Sequence, residues 1–290
     1  MDSARSRRRS ALAASIAGLA LAAFSTTASG AVTIGQLNPA PGSGNCGSNN
    51  DWVQGTVGSG SPYVVPGTGT VTSWSHVARD GGSQDMTFKV FRKVADPARY
   101  VVVGHDGPRQ LIPSALNTFP VRIGVEPGDI LGLNSGSGIF TECIFYVPGT
   151  GDSHLIRNNS DLADGEPGDF DTFAGGRLNI SAVFVPANAF TLGATARNKK
   201  KGTATIEVTV PNPGELTSSG KGVKAASAGG AVISKAVGTG QARLVIKAKG
   251  KKKQRLNTVG KVKLKVAVTY TPTGGDANTQ SVKVKLKKKL

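Results

Sequence analysis

The densest chemistry in this sequence is cationic. Lys251, Lys252 and Lys253 are consecutive, while Lys261, Lys263 and Lys265 recur at every second position, as do Lys283, Lys285 and Lys287. Side chains at every second position of an extended strand share one face. A face built of amines suits an anionic cell-wall polymer, a membrane surface or nucleic acid, and its attraction weakens steeply with salt. Reading a base sequence would further call for aromatic or arginine side chains. The segment from residue 188 has Phe190, Tyr270 and three arginines, so sequence-specific DNA binding is not expected. The competing reading is a solvated lysine surface that keeps sheet edges from aggregating.

Other groups offer more specific chemistry with weaker spacing. DLADGEPGDFD gathers Asp161, Asp164, Glu166, Asp169 and Asp171, a stock of oxygen ligands suited to weak extracellular calcium binding, although the spacing is not that of an EF-hand. The candidate calcium ligands are Asp161, Asp164, Asp169 and Asp171, against the alternative of a solvated loop; no other cofactor is expected. Trp52 and Trp74 could stack on a carbohydrate ring, against the alternative of two core rings. The three histidines, His76, His105 and His154, lack metal-ligand spacing. His76 follows Ser75, but no G-x-S-x-G elbow supports a hydrolytic triad. Gly42-x-Gly44-x-x-Gly47 resembles a dinucleotide fingerprint only nominally, because it contains Cys46 and no strand or helix is expected around it.

Behind the lysines lies a strand pattern. Val262, Leu264, Val266, Val268 and Tyr270 alternate with the lysines, as do Val282, Val284 and Leu286, and Pro272 with Gly274–Gly275 reverses the chain between the runs. The expected product is a hairpin, oily on one side and positive on the other. Before it, short β-type runs recur: Tyr63–Val65, Thr70–Ala78, Met86–Val94, Tyr100–Gly104, Thr118–Val125, Ile130–Leu133, Ile139–Val147 and Arg177–Val185. Pro120 places its strand at a sheet edge, and Glu126-Pro127-Gly128-Asp129 reads as a tight turn. No helix longer than one or two turns is expected over residues 62–186, and after residue 187 strands are expected near Phe190–Ala194, Thr203–Val210, Gly214–Ser218, Lys221–Ala225, Ala231–Ala236 and Gln241–Lys249. The fold class is all-β: an N-terminal jelly-roll-like β-sandwich followed by an immunoglobulin-like β-sandwich.

Charge and leader chemistry set the organisation. Arg5, Arg7, Arg8 and Arg9 followed by the apolar Ala11–Phe24 read as a secretory signal peptide over residues 1–30. A Gly/Ser/Asn-rich segment spans 31–61, a β-sandwich 62–187 and a lysine-rich immunoglobulin-like domain 188–290. Residues 31–187 carry a formal charge of −5 and residues 188–290 one of +19. Export predicts a disulfide between Cys46 and Cys143, the only two cysteines. Closing that loop is worth about 4–5 kcal/mol on the chain-entropy argument.

Several stretches carry a resemblance: Phe190-x-Leu192-Gly193, Asn198-Lys199-Lys200-Lys201-Gly202-Thr203, Val210-Pro211-Asn212-Pro213-Gly214-Glu215-Leu216, Gly220-Lys221-Gly222-Val223, Leu256-Asn257-x-x-Gly260-Lys261-Val262 and Thr269-Tyr270-Thr271-Pro272-Thr273-Gly274-Gly275. Residues 190–290 resemble the lysine-rich immunoglobulin-like modules at the C-termini of secreted actinobacterial proteins. Val71-Thr72-Ser73-Trp74 and Val125–Leu133 more loosely resemble sandwich domains exported by the same bacteria. The resemblance implies an extracellular or envelope-associated location and a fold, and supplies no catalytic residues. The expectation is an exported, non-enzymatic binding or structural protein of the cell envelope, its N-terminal sandwich supplying recognition, of a carbohydrate for instance, and its basic C-terminal module supplying electrostatic attachment to anionic polymers. The alternatives are a secreted hydrolase acting on glycans or esters, and a passive stalk.

Overall fold

The computed structural model describes residues 30–40, 46–136, 141–224 and 240–290. The leader except Gly30, Gly42 and Gly44 of the glycine motif, Ile139 and Phe140, and the strand expected at Ala231–Ala236 lie outside the described residues.

The first sandwich opens with β1 (Val32–Gln36), β2 (Asp51–Gln54), β3 (Gly69–Val77), β4 (Gln84–Ala95), β5 (Arg99–Leu111), β6 (Leu116–Val125) and β7 (Ile130–Asn134). It closes with β8 (Ile144–Phe145), β9 (Ser153–Arg157), β10 (Pro167–Asp169), β11 (Asp171–Ala174), β12 (Arg177–Leu178) and β13 (Ile180–Pro186). One sheet has the order β1-β13-β3-β6 and the other β10-β5-β4-β7-β2-β9-β11, with a short β12–β8 pair beside them. Trp74 and Phe184 of the first sheet meet Phe88, Leu131 and Leu133 of the second in one core. The wide sheet is buried on its other face too, where Val53, Phe91 and Tyr100 pack with Leu162 and Phe170 from the loop region after β9.

Pro120 lies in β6, at a sheet edge, the place in a sheet where proline is tolerated. Gly128 takes φ 93° between β6 and β7, and Asp129 N–H donates to Glu126 O at 3.2 Å, closing the expected turn. The Gly/Ser/Asn-rich segment 31–61 supplies two strands to the first sandwich, β1 and β2, and β2 sits between β7 and β9. All four residues of β2 are buried. A strand covered on both faces shows no polar alternation, which is why its sequence reads as irregular.

The core holds a charged centre. Lys89 is 1% exposed, and its Nζ donates to Asp51 Oδ1 at 2.6 Å, Asp161 Oδ1 at 2.7 Å and the Leu162 carbonyl at 2.8 Å. Asp51 also accepts from Ser160 Oγ at 2.9 Å, Leu162 N–H at 2.8 Å and Asn134 Nδ2 at 3.1 Å. A buried ion pair persists when its remaining donors and acceptors are filled in this way. Cys46 and Cys143 form the expected disulfide.

The second sandwich comprises β14 (Thr191–Asn198), β15 (Thr203–Val210), β16 (Gly214–Ser219), β17 (Val223–Lys224), β18 (Gly240–Ala248), α1 (Gly250–Val259), β19 (Lys261–Pro272) and β20 (Asn278–Lys287). Its sheets run β14-β15-β18-β17 and β16-β19-β20. Ile206, Val208, Leu244 and Ile246 from one sheet and Val262, Leu264, Val266, Val268, Val284 and Leu286 from the other form its core. The ten-residue α1 is an element that the sequence reading did not include between the strands expected at Gln241–Lys249 and from Lys261. It ends at Gly260, whose φ of 67° is the left-handed conformation glycine adopts most readily, with Gly260 N–H donating to Leu256 O at 3.0 Å. Among the described residues no helix is long and apolar enough to cross a membrane.

Asn212 joins the two sandwiches. Its Oδ1 accepts from Thr68 N–H at 2.7 Å, and its Nδ2 donates to the carbonyls of Thr68 at 2.8 Å and Ala187 at 3.0 Å.

Removing one member of the buried pair should cost more than removing both. Lys89→Met is expected to lower the unfolding free energy by about 3–5 kcal/mol, and adding Asp51→Leu to recover part of the loss. Urea unfolding followed by tryptophan fluorescence measures both. A double variant less stable than the single one would show that Asp51 is not a stranded charge.

Candidate polyanion-binding face

The lysine face follows from two rules acting together. Strand period puts Val262, Leu264, Val266 and Val268 on the core side of β19, and the β19–β20 register keeps the two strands in phase. Lys261 therefore lies opposite Lys287, Lys263 opposite Lys285, and Lys265 opposite Lys283. All six lysines are exposed. Like charges directly opposite each other on a sheet repel. None of the six forms an ion pair within 4.0 Å among the described residues; the salt bridge described in this sandwich is Arg243–Glu207 at 3.7 Å, on the other sheet.

Helix α1 adds the second wall. Lys251, Lys252 and Lys253 occupy its first turn, which has no acidic residue and no side-chain cap. Cations there oppose the helix dipole, so the local potential is strongly positive. Lys252 is half-buried, and a Cβ on Gly222 would lie 2.3 Å from Lys252 Cγ, so the glycine leaves room for the lysine stem. Two cavities adjoin this wall. One, of about 360 Å³, is lined by Lys252, Arg255, Lys261, Val262, Lys263 and Lys285. The other, of about 480 Å³, has Lys221, Lys252, Lys263 and Lys265 among its lining residues. Lys252 and Lys263 belong to both, and among the described residues no carboxylate lines either one. Arg255 and Lys221 escaped the sequence reading; a helical assignment for 250–259 would have put Arg255 on the same side as Lys252, three positions on.

The remaining candidates are dispersed by the fold. Trp52 and Trp74 do not offer sugar-stacking faces, which corrects that expectation. Trp52 is 5% exposed and stacks on His154 at 5.3 Å. Trp74 is 0% exposed, lies between Phe88 and Phe119, and donates through Nε1 to Asp106 Oδ2 at 2.7 Å. The acidic segment does not assemble a calcium cage either. Asp161 pairs with Lys89, Asp164 with His105 Nδ1 at 2.7 Å, and Asp169 with Arg99 at 2.7 Å, while Asp171 stands exposed on β11. Three of these carboxylates turn to three different partners, Lys89, His105 and Arg99, and among the described residues no three His, Cys, Asp or Glu side chains form a metal-binding group. The ring left exposed over an open groove in the first sandwich is Tyr146.

Two histidines are held in the neutral form. Burial lowers His76 to about 4, although its Nδ1 contacts the Asn179 carbonyl at 2.6 Å. Burial likewise lowers His154, against the bond to the Gly175 carbonyl. The unfolded chain takes up these protons near 6.5, and folded His76 resists until about 4. Stability is thus complete above pH 6.5 and lost as the pH falls toward 4, by about 3 kcal/mol for His76 alone. His76→Gln should flatten the dependence of the urea midpoint on pH between 4.5 and 7; an unchanged slope would clear His76 of that role.

The lysine ladder has its own signature. Lys263→Glu places a carboxylate opposite Lys285 and should stabilise the second sandwich by about 0.5–1 kcal/mol in dilute buffer. That gain should fade in 0.5 M salt, where the Debye length is only about 4–5 Å. Equal melting temperatures for variant and parent in dilute buffer would mean that the facing lysines do not repel.

Compared with protein-family models, curated proteins and solved structures, the chain finds no match, so its side-chain geometry is what bears on function.

Proposed function

We propose that this protein is an exported, non-enzymatic binding or structural protein of the cell envelope, attached through its second sandwich to anionic polymer. The first sandwich is the body that this attachment retains. The carrying observation is the set of three lysine pairs facing each other across β19 and β20 without a carboxylate partner among the described residues. Scattered lysines suffice to keep a sheet soluble. Opposed lysines destabilise their own sheet, and an external anion seated between them turns that repulsion into binding. The Cys46–Cys143 bridge supports an oxidising compartment.

The proposal is tested by retention. The protein should bind immobilised polyphosphate, and the logarithm of its affinity should fall with the logarithm of salt concentration, with a slope near −4 if six lysines displace counterions. In cell fractionation it should stay with the envelope until a high-salt wash releases it. Free appearance in the medium with no polyphosphate affinity would favour a passive stalk or a secreted hydrolase and would overturn the anchor.

A further inference from the structure

The lysine face has a repeat as well as a sign. Alternate residues of an extended strand are six backbone bonds apart, so Lys261, Lys263 and Lys265 recur at roughly 6.7 Å. Lys287, Lys285 and Lys283 run beside them on the neighbouring strand, about 4.8 Å away. The result is three rungs of two cations, flanked by the two adjoining cavities and overlooked by Lys252 and Arg255. A poly(glycerol phosphate) chain also has six bonds between successive charges. Each bond of an extended chain advances it by roughly 1.2 Å, so its phosphates recur about every 7 Å.

Resting on the attachment proposed above, we infer that the groove between α1 and β19–β20 is a register-matched site for a linear polyol-phosphate chain. The chain lies along the hairpin with one phosphate per lysine rung, and Lys252 and Arg255 close over it from the helix. Nucleic acid shares the six-bond repeat, but single-strand binding draws much of its affinity from bases stacked on exposed aromatic rings. The aromatic side chains of this sandwich are Phe190 and Tyr270, and both are buried in its core. Carboxylated polysaccharides space their charges by whole sugar units and miss the rung repeat.

The test compares two charge-matched double variants of the full chain. Lys263→Gln with Lys285→Gln removes the middle rung. Lys224→Gln with Lys247→Gln removes a facing pair of exposed lysines from the other sheet. Titration calorimetry in moderate salt would use poly(glycerol phosphate), a single-stranded oligonucleotide of equal charge number, polyglucuronate and phosphatidylglycerol vesicles. The middle-rung variant should lose about 30-fold in affinity for poly(glycerol phosphate), at roughly one contact per lysine, and the other-sheet variant less than about threefold. The parent should bind poly(glycerol phosphate) more tightly than the other three probes. Equal losses in the two variants would overturn the groove while leaving diffuse attachment intact. Tighter binding to the oligonucleotide, the polyglucuronate or the vesicles would overturn the polymer class. Failure to bind any of the four would overturn the attachment itself. Matching melting curves for both variants establish that a loss is not unfolding.

Discussion

The second sandwich depends on the shared phase of β19 and β20. Val262, Leu264, Val266, Val268, Val284 and Leu286 must enter the core, and each is worth about 1.5–3 kcal/mol in burial. A one-residue slip of either strand would turn its apolar set to water and its lysines inward. The register that saves the core also sets lysine against lysine on three rungs, at about 0.2–1 kcal/mol each. Burial wins by magnitude, so the repulsion is a fixed consequence of the fold. No one-residue shift of register can relieve it without turning a strand's apolar set to water.

The first sandwich manages charge in the opposite way. Lys89 is paired with Asp51 and Asp161, Arg92 with Asp129 and Glu126, Arg99 with Asp169, and Arg177 with Asp152. The buried members of these pairs have their remaining bonds filled: Asp152, for instance, accepts from Arg177, Thr150 Oγ1 and Gly58 N–H. Burial pushes the Asp152 carboxyl up, but these donors outweigh it and hold it below the usual range. One chain thus neutralises its cations internally in one half and displays them in the other. That contrast, more than net charge, favours a partner outside the chain for the lysines.

Legibility followed the range of the forces involved. The hairpin could be read because alternation is local: each residue's face is decided by its neighbour's. Pro120 and the Glu126–Asp129 turn were readable for the same reason, as backbone chemistry confined to a few residues. Trp52 and Trp74 were not, because their faces are set by His154, Phe88 and Phe119 on other strands. The carboxylates of 161–171 looked like a cluster in sequence, but three of them turn to separate partners on β4 and β5, Lys89, His105 and Arg99. Helix α1 was hidden by its own exposure. With Leu256 its one buried residue, it carries no apolar stripe for a period of 3.6 to reveal.

The position of the lysines along β19 completes the argument. The β19–β20 turn meets the first sandwich: a Cβ on Gly274 would lie 2.6 Å from Val32 Cγ2 of β1, and one on Gly275 would lie 3.3 Å from Pro186 Cβ of β13. Tyr270, near that end of β19, donates its hydroxyl to the carbonyl of Asn212, whose side chain holds Thr68 and Ala187. From Pro272 at the junction back to Lys265 is roughly 23 Å of strand, and Lys261 is farther still. The screening length at physiological ionic strength is about 8 Å. The acidic first sandwich therefore cannot neutralise the lysine rungs, although it is joined to the same hairpin. One end of β19 is committed to the body of the protein, and the other keeps its positive potential for whatever anion reaches it.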